Sequence, residues 1–290
     1  MTDESLPAVW PPLFTGSALV RYEGFDFELI PDGASRHREV LEQLRQPVLR
    51  IAACSRGWDR PEDFDHFGAV FKLDALFHAN SLALIWRGDR LVGLAGLTYD
   101  LPIRDGVILH VGSLGLLPEA QNRGFLPVLF SLLWDAVWQH AELRRHIEEG
   151  RGYLTAITQS PFIMAFLAGV SSLHPAPGSG DPAPDFVEVA ERVVGRFDPD
   201  VPFDRRTFVL RNECQFFYRR IPYSLDQGIN ELCDQRLRYG EGDTFMAVGQ
   251  IRAHAVTRFV RAIEDGHSAL FTALRKGLAD LTYSWDRDSR

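Results

Sequence analysis

The sequence predicts a mixed α/β (α+β) sheet domain, and three observations carry that reading. Segments of strand periodicity alternate with segments of helical periodicity. Residues 81–100 form a hairpin signal: Leu82-Ala83-Leu84-Ile85-Trp86 and Leu91-Val92-Gly93-Leu94-Ala95-Gly96-Leu97 flank the turn Arg87-Gly88-Asp89-Arg90. Residues 125–140 are apolar nearly all round, as a helix is when it packs on a sheet and is covered on most sides.

The elements follow in order. Phe25-Asp26-Phe27-Glu28-Leu29-Ile30 alternates as a strand should, and Pro31-Asp32-Gly33 stops it. Residues 36–53 carry Val40, Leu44 and Val48 at helical spacing, with Pro47 predicting a kink or two short helices. The aromatic-studded stretch 58–77 has no clear period. The hairpin turn spells Arg-Gly-Asp, which reads as ordinary turn chemistry. A strand is expected over 107–116, ended by Pro118, then the helix 125–140, a strand over 153–158 and a short helix over 161–167. Residues 171–185, with Pro175, Pro177, Pro182 and Pro184, read as a loop. Residues 207–210 and 216–218 are strand-like, and 244–248 follow a turn as an apolar run. From 252 to 281 one helical stripe (Val256, Phe259, Ile263, Leu270, Leu274, Leu278) is broken near Gly266.

Composition narrows the function classes. A chain of 290 residues at 46% hydrophobic and 24% charged has a sizeable core and fits one large domain or two small ones. With 31 basic and 39 acidic residues the net charge is −8, which points away from nucleic acid, whose binding runs on phosphate neutralisation. The arginines at 205, 206, 211, 219 and 220 accordingly read as salt-bridged strand faces. Cys54, Cys214 and Cys233 are far apart with no CxxC pair, and the nine histidines show no ligand spacing, so neither a disulfide framework nor a metal is expected. The acidic start and the short apolar run at 125–134 predict neither a secretory signal nor a membrane span, and a cytoplasmic location is the default.

The chemistry concentrates at 110–133. A strand ends at Leu116-Leu117-Pro118, the loop Glu119-Ala120-Gln121-Asn122-Arg123-Gly124 follows, and a buried helix starts at once. Unpaired N–H groups at a helix start, with the positive end of its dipole, favour a phosphate or pyrophosphate. Gly124 permits a turn with positive φ or a close ligand approach, and Pro127 sits in the first turn where its missing N–H costs nothing.

Here the chain resembles the GNAT superfamily of acyl-CoA-dependent N-acyltransferases. Leu116-x-Pro118 followed by Gln121-x-x-Gly124-x-Leu126 matches its strand-loop-helix signature, and Arg90-Leu91-Val92-Gly93 its hairpin pattern. The resemblance spans about 25–170. It implies a mostly antiparallel sheet flanked by helices, with 25–220 as the acyltransferase-like domain, 171–202 as a proline-rich loop or insertion, 1–24 as an N-terminal extension and 221–290 as a mostly helical C-terminal extension ending in a helix. It also implies acetyl-CoA or another acyl-CoA as co-substrate, bound by Leu116, Gln121, Asn122, Arg123, Gly124, Phe125 and Leu126. The backbone N–H of Leu116 or its neighbour would polarise the thioester carbonyl. His110 and Glu119 are the candidate bases, and Tyr153 and Ser160 the candidate proton donors, each with a plainer reading: a packed strand histidine, a solvated carboxylate, a strand-edge tyrosine. Arg123 would pair with a CoA phosphate or simply face solvent. Two positions depart from the pattern. Leu126 stands where a small residue is usual, and Phe166 where the family often places a tyrosine.

The expected activity is acyl transfer to the amine of a small metabolite or amino-acid-like acceptor. A non-catalytic ligand-binding or interaction protein is the alternative, as is an enzyme with an acyl-carrier-protein donor. The C-terminal stripe is expected to serve as a homodimer seam.

Overall fold

The computed structural model describes residues 14, 16–60, 73–101, 103–214 and 218–288. The expectations for 61–72, for 216 and 217, and for most of 1–15 lie outside the described residues. The elements run β1 (Ala18–Tyr22), β2 (Phe25–Ile30), α1 (Arg38–Ser55), α2 (Asp74–Phe77), β3 (Ser81–Arg87), β4 (Arg90–Thr98), β5 (Val107–Leu116), α3 (Phe125–Gln139), α4 (Ala141–Glu148), β6 (Gly152–Thr158), α5 (Pro161–Val170), β7 (Ser171–His174), α6 (Pro184–Phe197), β8 (Phe203–Asp204), β9 (Val209–Leu210), α7 (Gln227–Arg236), β10 (Thr244–Ile251), α8 (Ala253–Gly266) and α9 (Ser268–Asp288).

One sheet takes in every strand, in the order β1-β2-β3-β4-β5-β6-β10-β9-β8, with β7 also pairing to β10. Each pairing is antiparallel except β5 with β6. This is the mixed, mostly antiparallel sheet flanked by helices that the resemblance implies.

Two apolar clusters cover it. The larger gathers α1, α3, α5, α8 and α9 with β1–β4, and Phe125 at the start of α3 wedges against Phe25 and Phe27 at centroid distances of 5.1 and 5.2 Å. The smaller packs the Val189, Ala190, Val193 and Phe197 face of α6 onto Ile108, Tyr153, Met246 and Val248. At about 25 cal/mol per Å2 of apolar surface, such burial outweighs what any single polar contact adds.

Several elements differ from the sequence reading. Pro47 lies inside one unbroken helix, α1, rather than between two. The expected loop over 171–185 begins as β7 and ends as the first turn of α6, where Pro184 occupies a helix-starting position. The C-terminal segment 221–290 is tied into the sheet by β10, which lies between β6 and β9. The stripe expected to form a dimer seam is covered by the chain itself. Leu270 and Leu274 are buried in the larger cluster, and α9 runs so close to β1 that a Cβ at Gly277 would sit 3.2 Å from that of Ala18.

Candidate active site

The site is built where β5 and β6 part. They pair in parallel only from Val107↔Gly152 to His110↔Thr155. Beyond that β6 stays with β10, through Phe245↔Thr158, while β5 stays with β4, through Gly93↔Leu116. The two strands therefore enclose a wedge-shaped opening lined on one side by 111–116.

A β-bulge helps to turn β5 away. The register with β4 shifts between Gly96 and Leu97, leaving Gly112 unpaired. A side chain there would meet the Cβ of Ala75 at 2.5 Å, so glycine is what lets α2 close over the bulge.

The register also fixes which backbone groups face the opening. Leu117 N–H donates to Val92 O at 2.8 Å, making 92/117 a hydrogen-bonded pair. In an antiparallel ladder such pairs alternate with non-bonded ones. Gly93/Leu116 and Ala95/Leu114 are thus the non-bonded pairs, and the N–H groups of Leu114 and Leu116 point away from β4 into the opening.

The loop 118–124 leads from this strand straight into α3. A 3-10 turn over Pro118–Ala120 opens it. The Gln121 side chain then reaches back, its Nε2 donating to Leu116 O at 2.9 Å, which staples the loop to the strand end. Asn122 (φ 58°) and Gly124 (φ 73°) are both left-handed, and Gly124 is the residue preceding α3. No side chain caps this helix start, and a Cβ at Gly124 would meet nothing within 4 Å. The cradle is open, with its N–H groups and dipole directed outward.

Cations flank it. Arg123 donates from Nε to Glu119 O at 3.2 Å, and its guanidinium lies 5.2 Å from the ring centre of Phe25. The guanidinium of Arg87 lies 5.9 Å from the same ring. Phe25 in turn packs on Phe125, so both cations are carried to the start of α3. Sequence reading missed Arg87. It belongs to the hairpin turn, and only the pairing of β2 with β3 brings it to a helix that starts at 125.

The predicted site residues separate into two groups. Leu116, Gln121, Asn122, Arg123, Gly124, Phe125 and Leu126 come together as one strand end, loop and helix start. Leu126, which stands where the resemblance has a small residue, has its side chain partly buried against the larger core. Glu119 joins this group but is paired with Arg90.

The other candidates lie elsewhere. His110 sits at the vertex of the opening yet is 2% exposed, stacked on Phe197 at 4.6 Å, with Nδ1 3.0 Å from Thr155 Oγ1. Burial pushes its pKa down to about 3, so the imidazole is neutral but sealed from any acceptor. Tyr153 belongs to the smaller core, where its hydroxyl donates to Asp185 at 2.8 Å and burial with that carboxylate raises its pKa to about 12. Ser160 is the N-cap of α5, its Oγ accepting from Ile163 N–H at 3.2 Å. Phe166 is packed edge-on against Phe130 at 4.6 Å and Phe259 at 5.5 Å.

A backbone bridge links the two arms of the opening. Arg219 N–H donates to Arg56 O at 2.9 Å, at the end of α1, and α1 packs on β4 and β5. Three residues on, Pro222 O accepts from Phe162 N–H at 3.0 Å, in the first turn of the helix after β6. Among the described residues, no group of three or more His, Cys, Asp or Glu is placed to hold a metal, and no helix is long and apolar enough to cross a membrane.

No family model matches the chain, and no curated protein matches it in sequence. Solved structures do resemble it. Naa50 of Arabidopsis thaliana, in complex with the bisubstrate analogue CoA-Ac-MVNAL, is 11% identical over 39% of this chain and 82% of that one, with a TM-score of 0.27. Tetrahymena GCN5 is 14% identical over 40% of this chain and 62% of that one, with a TM-score of 0.26. A GCN5-related N-acetyltransferase from Kribbella flavida is 16% identical over 52% of this chain but only 34% of its own, with a TM-score of 0.29. The chain is thus similar in fold to these acetyltransferase structures.

Proposed function

We propose that this protein is an N-acyltransferase that moves an acyl group, acetyl in the simplest case, from acyl-CoA to the amine of a small metabolite or amino-acid-like acceptor. The observation that carries the reading is the opening between β5 and β6, which runs directly into the loop 118–124 and the uncapped start of α3.

The residues there fit an acyl-CoA. Gly124 leaves space for a diphosphate against the first-turn N–H groups of α3, and Arg87 and Arg123 stand beside it to neutralise charge. The co-substrate supplies an activated acyl carbon, whose bond to sulfur breaks as the bond to the amine nitrogen forms. The chain's part is positional and electrostatic. The N–H of Leu116 or Leu114 is aimed to stabilise negative charge developing on the carbonyl oxygen, and the walls of the opening hold amine and carbonyl in contact. His110, Tyr153 and Ser160 are sealed and Glu119 is held by Arg90, so this reading leaves proton removal to solvent, with the acceptor entering as the free amine.

The test is incubation of the purified chain with acetyl-CoA and a panel of small amines, following product by mass. The reading expects an acetylated amine, with kcat/KM rising with pH along the acceptor's own ionisation and no histidine-like limb. Arg87→Ala and Arg123→Ala should each raise KM for acetyl-CoA about tenfold while leaving kcat nearly unchanged. Acetyl-CoA that neither binds nor reacts would sink it. One observation favours a second reading, a ligand-binding protein without turnover: Phe166 is fixed in an aromatic cluster and carries no hydroxyl. Acetyl-CoA binding without any acetylated amine would select that alternative.

A further inference from the structure

A second cavity lies beyond β10, which separates β6 from β7 and β9. Its volume is about 350 Å3, and it is enclosed by the loop 175–180, the Arg206-Thr207 turn between β8 and β9, and the face of α7 that presents Gly228, Glu231, Gln235 and Arg236. That volume falls in the range of small-ligand pockets, roughly 300–1,000 Å3. None of it belongs to the opening between β5 and β6.

The lining is polar and carries unused hydrogen-bonding capacity. His174, at the end of β7, is 6% exposed, and its Nε2 is buried with no partner. Buried polar atoms in folded proteins are nearly always paired, so this unpartnered nitrogen, in a residue that lines the cavity, is one that a small movement of the ring would offer to a ligand or water there. Burial also lowers the His174 pKa, keeping the ring neutral. The Arg236 side chain has no hydrogen-bond or ion-pair partner among the described residues. Arg206 has one partner, Asp181 at 3.4 Å, in a solvent-facing pair weak enough for a ligand to displace. Two guanidinium groups and one carboxylate, Glu231, line the cavity, with Asp181 beside Arg206 outside that lining. Planar guanidinium donors match carboxylate and phosphate oxygens.

We propose that this cavity binds a small metabolite bearing a carboxylate or phosphate group, held by Arg236 and Arg206 with the His174 ring at its base. The proposal does not depend on the acyl-transfer reading.

The experiment titrates the full-length protein, in Tris chloride, with inorganic phosphate and separately with glutamate and succinate, while following the His174 ring resonances by NMR in histidine-labelled protein. Saturable shifts with one of these anions are expected, and which anion acts decides between phosphate and carboxylate. Arg236→Gln should weaken the binding about tenfold or more, and Ser179→Trp, which fills the cavity from an exposed loop, should abolish it while circular dichroism stays native. Absence of saturable shifts with all three anions would overturn the proposal. So would binding that Arg236→Gln, Arg206→Gln and Ser179→Trp all leave unchanged.

Discussion

The segment from β5 through the loop to α3 and the segment from β7 to β10 sit in the same sheet but are specified differently. In the first, each device is local: Pro118 ends the strand, Gly124 (φ 73°) turns the chain, and an apolar run makes α3. In the second, short-range contacts are joined by partners 31 and 32 residues apart. Asp243 shows this best. Its side chain is wholly buried and accepts from Arg238 Nε at 2.8 Å, Asn212 N–H at 3.3 Å, Arg238 N–H at 3.2 Å and Arg211. Burial alone would raise its pKa, but these donors outweigh it and hold the carboxyl below its usual value. One carboxylate thus ties the strand-end region after β9 to the entry of β10. A local design tolerates change a few residues away, whereas a knotted one fails at a single atom.

The comparison is broken most directly by Asp243→Ala. It strands two guanidinium groups and two N–H donors, and the expected loss is about 3 kcal/mol, the low end for a broken buried pair because Arg211 and Arg238 keep contact with solvent. Denaturant unfolding measures it; a loss under about 0.5 kcal/mol would show that β10 is held by packing alone.

The next effect comes from His110, at the junction of the two halves. Its pKa is about 3 in the folded chain against an ordinary 6.5, so below pH 6.5 the unfolded chain takes up a proton that the folded one refuses. The contribution is therefore full above pH 6.5 and lost as pH falls, at about 1.4 kcal/mol per unit, or about 2 kcal/mol by pH 5. Unfolding free energies at pH 7 and pH 5 read this out, and His110→Phe should flatten the difference. An equal slope in that variant would assign the acid sensitivity elsewhere, with His174, also lowered by burial, the next group to examine.

The smallest effect sharpens the local side of the comparison. Ser160→Ala removes the cap of α5 and should cost about 1 kcal/mol, with acyl transfer per folded molecule unchanged. A selective loss of kcat would return Ser160 to the chemistry.

The same contrast explains what could be read from the sequence. The bounds of β5 coincide with the expected 107–116, and 116–126 form the expected strand end, loop and helix start, because strand, turn and helix signals there are all short-range. Pro184 misled, since a proline that starts α6 looks in sequence like one more loop residue. The role of β10 was hidden because an apolar run after a turn does not say which strands it joins. Arg87 was hidden for the same reason, as its place depends on Phe25 one strand away. The burial of His110 was not legible: a histidine on a strand feeding a site and a histidine filling a core have the same sequence pattern, and only the arrival of Phe197 from α6 distinguishes them.

The central claim is that the open cradle at 118–126 holds an acyl-CoA. Calorimetric titration with acetyl-CoA, on the wild-type chain and on Gly124→Val, tests it most directly. Valine strains a residue at φ 73° and fills space that is now empty. The account predicts micromolar binding, worth about −8 kcal/mol, that disappears in the variant while the fold persists. Absence of binding to the wild type, or equal binding by the variant, would contradict it.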